Sequence, residues 1–429
     1  MSKLLINGKK PISGTHRTPG NKNAALPMIA ASLLTSEPVT LKNLPLIADV
    51  RVTLKLVAEL GAEVHFNEAK REVTIQAKKI RRGLNKELCG KVRSSILFAG
   101  PLLARCGAAT LYPPGGDVIG RRRIDTHLEG LQMLGATITT GNAYVFKAPK
   151  GLTGAYILLD EASVTATENI VMAATLAKGV TTLYNTACEP HVQNLCAMLN
   201  AMGAKISGIG TNRLTIEGVE KLSGTEQRIG PDYIDAGSYM VAALITGGDL
   251  TIEDIEPDDF AVLIKPFTRF GVKYHFDPVK KTVRLPPRQK LKTAYDFGDA
   301  IPKIEDGPWP MLPSDLMSVL IVLATQARGT TMFFEKMFES RMYFVDHLLG
   351  MGARIVQCDP HRIVVTGPTP LHGSRVASPD IRAGMALLIA ALGAKGETTI
   401  LNANSIDRGY EAVEQELRNL NASIERIND

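Results

Sequence analysis

The sequence has no large excess of either charge: 49 Lys and Arg against 43 Asp and Glu leave a formal +6 over 429 residues. A surplus this small suits a protein that collects small anions. It argues against a dedicated nucleic-acid binder, which needs a long basic stripe. Aromatic residues are sparse around Arg121-Arg122-Arg123, so the stacking platforms of a single-strand binder are missing there. The other dense basic run, Lys78-Lys79-Ile80-Arg81-Arg82, reads as a solvated turn. The five cysteines (Cys89, Cys106, Cys188, Cys196, Cys358) are odd in number, scattered and without metal-ligand spacing. That excludes a disulfide framework or zinc site and points to reduced thiols in the cytoplasm. Long hydrophobic runs are missing too. Leu316 to Ala324 is too short to cross a bilayer, and the stretch from Met1 to Gly8 has no signal-peptide core. The expectation is a soluble intracellular protein with neither membrane nor nucleic acid as partner. None of these features fixes an oligomeric state.

What is present is a repeat. A helix-like stretch ends in a small-residue turn and a β-prone run at Gly61-Ala62, Gly135-Ala136, Gly203-Ala204, Gly271-Val272, Gly352-Ala353 and Asn421-Ala422. Glycine, or asparagine as its best substitute, stops a helix in a left-handed cap before a strand begins. The first half of each copy shows an apolar helix followed by a second β-prone run. Examples are Asn23 to Leu34 then Val39-Thr40-Leu41, Ser94 to Leu103 then Ala109-Thr110-Leu111, and Leu316 to Ala324 then Thr330-Thr331-Met332. Six small α/β modules follow, each too large for a solenoid unit. They divide most simply into two groups of three, with a boundary near Gly230-Pro231. The strand Leu4-Leu5-Ile6 returns to the last group and makes that domain discontinuous: residues 1–21 with 231–429, and residues 22–230. A site between two such lobes is expected, because ligand pockets favour domain interfaces.

Charged residues recur at the module joints. Asn23 reads as the N-cap of the first helix, with Lys22 beside exposed helix-start amides. Arg93, Asp315 and Arg382 open equivalent helices, and Arg341 and Arg408 precede the closing helices of the fifth and sixth modules. Each alone is explained by a surface salt bridge. Equivalent positions turning polar together point to a shared site, and arginines drawn from both halves suit a substrate with several anionic groups. The loop from Pro113 to His127 has two readings at this level. It is either an acid, Asp117, held beside an anion trap of three arginines, or a mobile surface loop with solvated charges.

These residues also carry a resemblance. Gly20-Asn21-Lys22-Asn23-Ala24-Ala25-Leu26-Pro27, the Pro-Gly-Gly-x-x-Ile-Gly loop with Asp125 and His127, Leu312-Pro313-Ser314-Asp315, Asp380-Ile381-Arg382-Ala383 and Ile406-Asp407-Arg408-Gly409-Tyr410 resemble the UDP-N-acetylglucosamine enolpyruvyl transferase (1-carboxyvinyltransferase) family. The likeness runs from about Ile6 to the C-terminus, and it extends to the shikimate-pathway sister enzyme in fold only. The resemblance implies an α/β (α+β) fold of two inside-out barrel domains, each built from three βαβαββ-like modules. It implies transfer of the enolpyruvyl group of phosphoenolpyruvate to the 3-hydroxyl of UDP-N-acetylglucosamine, the first committed step of peptidoglycan synthesis, with no metal or organic cofactor.

By motif match, Lys22, Arg122 and Arg408 would hold phosphoenolpyruvate with Asn23 nearby, and Arg93 would bind at the sugar-nucleotide site. Arg122, Arg123, Ile124, Asp125 and Thr126, with Ser163 and Val164, would contact the nucleotide. Asp315 would bind the sugar hydroxyl and serve as base, with Arg341, Asp380 and Arg382 in the same site and Met337 lining the sugar-nucleotide pocket. The chain departs from the commoner family pattern at Asp117, where most members have a reactive cysteine, at Arg123, where proline is usual, and at Glu161, where many have lysine. Asp117 is then the proton donor, and tolerance of the epoxide antibiotic fosfomycin, which alkylates the loop cysteine, is expected. To donate near neutral pH, Asp117 needs its arginine neighbours neutralised by bound substrate and its carboxyl desolvated. Arg123 and Glu161 leave open another acceptor nucleotide sugar. A non-catalytic ligand-binding relative is disfavoured by the presence of both acids.

Overall fold

The computed structural model describes residues 2–117 and 119–428, so Met1, Val118 and Asp429 lie outside the described residues. The chain divides into two compact units. One comprises residues up to Pro19, the short stretch 119–121 and everything from Pro231 on; the other comprises 20–117 and 122–230. Residues 20 and 21, which the sequence placed with the first of these, fall in the second.

Within each unit, helices without a polar face pack on one another inside a surround of three sheets. In the first unit the helices Tyr233–Thr246, Ser314–Gln326 and Ile381–Gly393 contact one another pairwise. Every residue of Ile381–Gly393 is buried. A helix apolar all round has no solvent side, and this one satisfies that by burying its whole circumference. Each fully buried Leu or Ile contributes about 1.5–3 kcal/mol relative to leaving it exposed. Three four-stranded sheets cover this bundle. In one of them the N-terminal strand Ser2–Asn7 lies between Glu397–Leu401 and Ser423–Asn428, antiparallel to both. In the second unit, Lys22–Ala31, Ala99–Cys106, Val164–Ala174 and Pro190–Ala201 form the interior under two four-stranded sheets and one three-stranded sheet.

The repeated cap forms at all six positions. The five glycines have φ between 67° and 101° and Asn421 has φ 75°. Each copy thus closes by the same left-handed exit, which an L side chain other than Asn adopts only with strain.

Three local expectations need correction. The N-cap of the first helix is Asn21, not Asn23: Asn21 Oδ1 accepts from the backbone N–H of Asn23 at 2.7 Å and of Ala24 at 3.2 Å. The helix therefore begins at Lys22. The helix expected from Ser94 to Leu103 is split into a 3-10 segment, Arg93–Phe98, and an α-helix, Ala99–Cys106. At this junction Gly100 approaches the helix Val164–Ala174 so closely that a Cβ there would lie 2.3 Å from the Asn169 carbonyl oxygen. In the fourth module the closing strand starts at His275 rather than beside Val272. The reason lies in Gln289, whose side chain takes the backbone of Lys273: its Oε1 accepts from Lys273 N–H at 2.7 Å and its Nε2 donates to Lys273 C=O at 2.9 Å.

One buried polar group in the first unit is absent from the repeat pattern. His16, 3% exposed, places Nε2 2.6 Å from Asp235 Oδ2 and Nδ1 3.6 Å from Glu416. Its ring stacks on Tyr239 at 3.8 Å between centroids. Burial opposes the charged ring, but the two carboxylates outweigh it and lift its pKa to about 9.

Candidate active site

In the second unit the polar residues gather at helix starts. Lys22, the first residue of its helix, is buried and its Nζ lies 2.8 Å from Asp49 Oδ2. Asn23 follows, half-buried. A lysine at a helix start stands beside N–H groups that favour anions. Arg93 opens the 3-10 segment and its Nη2 donates to the carbonyl oxygens of Arg122 at 2.7 Å and Arg123 at 3.0 Å. This fixes the backbone that follows the Gly-Gly turn. Burial, then the neighbouring Arg122 guanidinium, lower the pKa of Arg93 to about 10, so Arg93 stays cationic beside Arg122 at neutral pH. Like charges held together favour an anion between them.

The loop itself is tightly built there. Gly116 has φ 113°, and a Cβ on it would sit 3.0 Å from Arg93 Cβ and 3.3 Å from Arg122 Nη1. Asp117 follows, half-buried, and Arg122 Nη1 lies 3.5 Å from its carbonyl oxygen. Arg123 is exposed and pairs with Asp125. Ile124 is buried immediately before the helix Asp125–Met133, and Thr126 Oγ1 lies 3.5 Å from Glu161 Oε1. Ser163 caps and Val164 opens the next buried helix, Val164–Ala174. His127 is buried, and burial followed by the Arg93 charge lowers its pKa to about 3. The neutral ring accepts from Asn169 Nδ2 at Nδ1 (3.1 Å), so its Nε2–H donates to Thr165 Oγ1 (3.0 Å). His127 thus ties the loop's end to the helix, its one N–H taken by Thr165.

In the first unit, Asp315 stands in the opening turn of Ser314–Gln326. Its Oδ1 accepts from Arg341 Nη2 at 3.1 Å and its Oδ2 from Arg382 Nη2 at 2.9 Å. Both arginines are at most 5% exposed. Each also lies over an aromatic face, Arg341 on Phe338 at 5.2 Å and Arg382 on Tyr410 at 5.5 Å. Tyr410 is held in turn by a 2.8 Å hydrogen bond with Ser238 Oγ. Asp380 caps Ile381–Gly393, its Oδ1 accepting from Arg382 N–H at 2.8 Å and Ala383 N–H at 2.9 Å. Asp232 caps the third helix of the bundle, and burial raises its carboxyl to about 6 against the pull of Arg382. Arg408 closes the 3-10 turn Ala403–Arg408, half-buried. Met337 is 39% exposed in the turn before Arg341. Residues 119–121 also belong to this unit: Arg121 N–H donates to Glu339 Oε1 at 3.0 Å, and Ser340 N–H to Ile119 C=O at 3.2 Å. The result is a carboxylate fixed by two buried cations, with further basic and apolar side chains near the same helix ends.

Residues 6–417 match the EPSP synthase (3-phosphoshikimate 1-carboxyvinyltransferase) family. The chain belongs to this family. Among its relatives is the UDP-N-acetylglucosamine 1-carboxyvinyltransferase of Treponema denticola, 53% identical over 427 residues and matched over 99% of both chains. The crystal structure of the enolpyruvyl transferase NikO from Streptomyces tendae superposes with a TM-score of 0.88 at 26% identity, covering 99% of this chain and 98% of that one. EPSP synthase from Acinetobacter baumannii, at 20% identity and full coverage of both chains, shares the fold with a TM-score of 0.77. The two-unit, three-sheet α/β architecture described above is thus the EPSP synthase family fold, as the repeat and motifs led us to expect.

Within this EPSP synthase family chain, the structure brings Asp315, Arg341 and Arg382 together in one unit, and Arg93, Arg122 and the backbone at Asp117 together in the other. Sequence reasoning missed Asp49, the partner of Lys22, and Tyr410 and Asp232 around Arg382. Tyr410 lay inside a quoted motif, and its position two residues after Arg408 was the available signal. No helix among the described residues is long and apolar enough to cross a membrane.

Proposed function

We propose that this chain is a soluble cytoplasmic transferase that moves the enolpyruvyl group of phosphoenolpyruvate to the 3-hydroxyl of UDP-N-acetylglucosamine and releases phosphate, opening peptidoglycan synthesis. The observation that carries this reading is its 53% identity, end to end, with an enzyme named for that carboxyvinyl transfer. The side chains present can supply each step. Asp315 accepts the proton of the sugar hydroxyl as its oxygen bonds to C2 of phosphoenolpyruvate, and Asp117 gives a proton to C3. Loss of a C3 proton then restores the double bond as the C2–O bond to phosphate breaks. Lys22, Arg122 and Arg408 stabilise phosphoenolpyruvate and the departing phosphate, with Asn23 beside them. Arg93, Arg123, Ile124, Asp125, Thr126, Ser163, Val164 and Met337 contact the sugar nucleotide, while Arg341 and Arg382 hold Asp315 and Asp380 caps the helix that carries Arg382.

Phosphate release from phosphoenolpyruvate, followed with and without UDP-N-acetylglucosamine, tests the reading. Acceptor-dependent release is expected, and release indifferent to the acceptor overturns it. A second prediction arises at the loop. A carboxylate is a far weaker nucleophile toward an epoxide than a thiolate. The wild-type enzyme should keep its activity through prolonged incubation with fosfomycin, whereas Asp117→Cys should lose activity in a time-dependent manner with a covalent adduct visible by mass spectrometry. Rapid inactivation of the wild type would contradict the assignment of Asp117 to the loop-tip position.

A further inference from the structure

Beneath Asp315 lie two acids that the proposed chemistry does not use. Asp306 and Glu335 are both 0% exposed. Ser314, the residue before Asp315, donates its hydroxyl toward Glu335, with Oγ 3.0 Å from Oε1 and 2.9 Å from Oε2. Glu335 Oε1 also accepts from the backbone N–H of Met337 at 3.2 Å and Phe338 at 3.1 Å, closing the turn that leads to Arg341. Arg341 spans the two layers, its Nη2 3.1 Å from Asp315 Oδ1 and its Nε 3.8 Å from Glu335 Oε2. Asp306 Oδ1 accepts from Lys336 N–H at 2.6 Å. Its Oδ2 is buried and reached by no N–H or hydroxyl donor, and the parallel register that pairs Glu305 with Phe334 sets Asp306 beside Glu335.

Two adjacent carboxylates at full burial strongly disfavour double ionisation, and a hydrogen carried by one of them supplies the donor that Asp306 Oδ2 lacks. We infer that Asp306 and Glu335 share one proton and act as a positioning pair, holding Asp315 in place through Ser314 and Arg341. The inference rests on the transferase reading above for the role of Asp315, but not for the existence of the shared proton. Burial and then Asp306 raise the Glu335 carboxyl to about 9, in keeping with a proton retained at neutral pH.

The other charges around the pair are already engaged. Lys303 and Lys336 both pair with Glu305, Arg362 pairs with Asp359, and Glu339 accepts from Arg121 N–H. His361 Nδ1 meets the Glu335 carbonyl oxygen at 2.7 Å, and Arg382 is bound to the far oxygen of Asp315. Arg341 is therefore the cation whose attraction the pair divides with Asp315. With one proton the pair carries a single negative charge, and Arg341 serves both layers. Loss of that proton above a pH of about 9 adds a second negative charge beside Arg341 Nε, which draws the guanidinium off Asp315.

The test compares full-length wild type with Asp306→Asn, in which an amide replaces the shared proton and the pair keeps one charge at any pH. In the infrared difference spectrum of wild type minus variant at neutral pH, the carbonyl band of a protonated buried carboxyl should appear, the difference removing the contribution of other buried acids such as Glu168, whose carboxyl pKa burial also raises. In acceptor-dependent phosphate release, wild-type kcat should fall about tenfold more than that of the variant as pH passes one unit beyond 9, with KM for both substrates little altered. Glu335→Gln gives the same infrared readout should Asp306→Asn fail to fold. Absence of that band from the difference spectra, or a constant ratio of the two kcat values across pH, overturns the inference. A wild type that releases no phosphate overturns the transferase reading instead, while the infrared band still decides whether the proton is shared.

Discussion

Asparagine at position 315 should lower kcat by about a hundred- to ten-thousand-fold, the range that loss of a positioned general base commonly costs. That is roughly 3–5 kcal/mol of barrier. The amide has nearly the shape of the carboxylate but cannot take the hydroxyl proton. It also removes the one charge that faces both Arg341 Nη2 and Arg382 Nη2. Two buried cations then lose their shared partner, so a stability loss accompanies the kinetic one. The two effects separate with Asp315→Glu. A glutamate keeps the negative charge for the arginines but moves it by a methylene, so stability should largely return while kcat stays low, because a general base must sit within hydrogen-bond reach of its proton. Steady-state kinetics and thermal denaturation on the three proteins read both quantities. Full activity in Asp315→Asn would remove this residue from the chemistry.

The second large effect concerns His16 and is thermodynamic. Its pKa rises from 6.5 to about 9 on folding. A group whose folded pKa lies above its unfolded one contributes stability fully below the unfolded value and loses it as pH rises through the folded value. The window is therefore pH 6.5 to 9, and the contribution lost across it is about 3 kcal/mol, from 1.36 kcal/mol per pKa unit. His16→Gln leaves Asp235 buried without its cation, a change that costs about 3–5 kcal/mol for a broken buried pair. Denaturant unfolding should show the variant far less stable than wild type at pH 6 and the gap narrowing toward pH 9.5. A gap that stays constant with pH would mean that His16 is neutral in the folded protein.

Much of this fold was legible because its signals are local. A Gly or Asn followed by a small apolar residue after each of these helices announces a left-handed exit within a few residues, and the structure adopts it at Gly61 and Asn421 alike. Arg93, Asp315 and Arg382 stood out because each begins a helical segment that is otherwise uncharged. Long-range partners were not legible. Glu335 reaches Ser314 across 21 residues, and His16 reaches Asp235 across 219, with no pattern in the intervening chain to pair them. Asn21 and Asn23 illustrate a different limit. Either could cap the first helix, and the choice depends on which side chain the folded backbone brings under its first free N–H groups. The late strand of the fourth module failed for a similar reason, since a single glutamine side chain captured the backbone that a neighbouring strand would otherwise have used.

The helix Ile381–Gly393 has no exposed residue anywhere along its length, and its chemistry-bearing side chains are confined to its first turn and its cap. The same division recurs at Ser314–Gln326 and Lys22–Ala31. Natural selection can therefore edit the reactive ends of these rods while leaving the packed shafts alone. Loop side chains such as those of Asp117 and Arg123, off these shafts, can likewise change with little consequence for whether the chain folds. The chemistry at the helix ends can drift on a timescale of its own, uncoupled from the slow clock of the core.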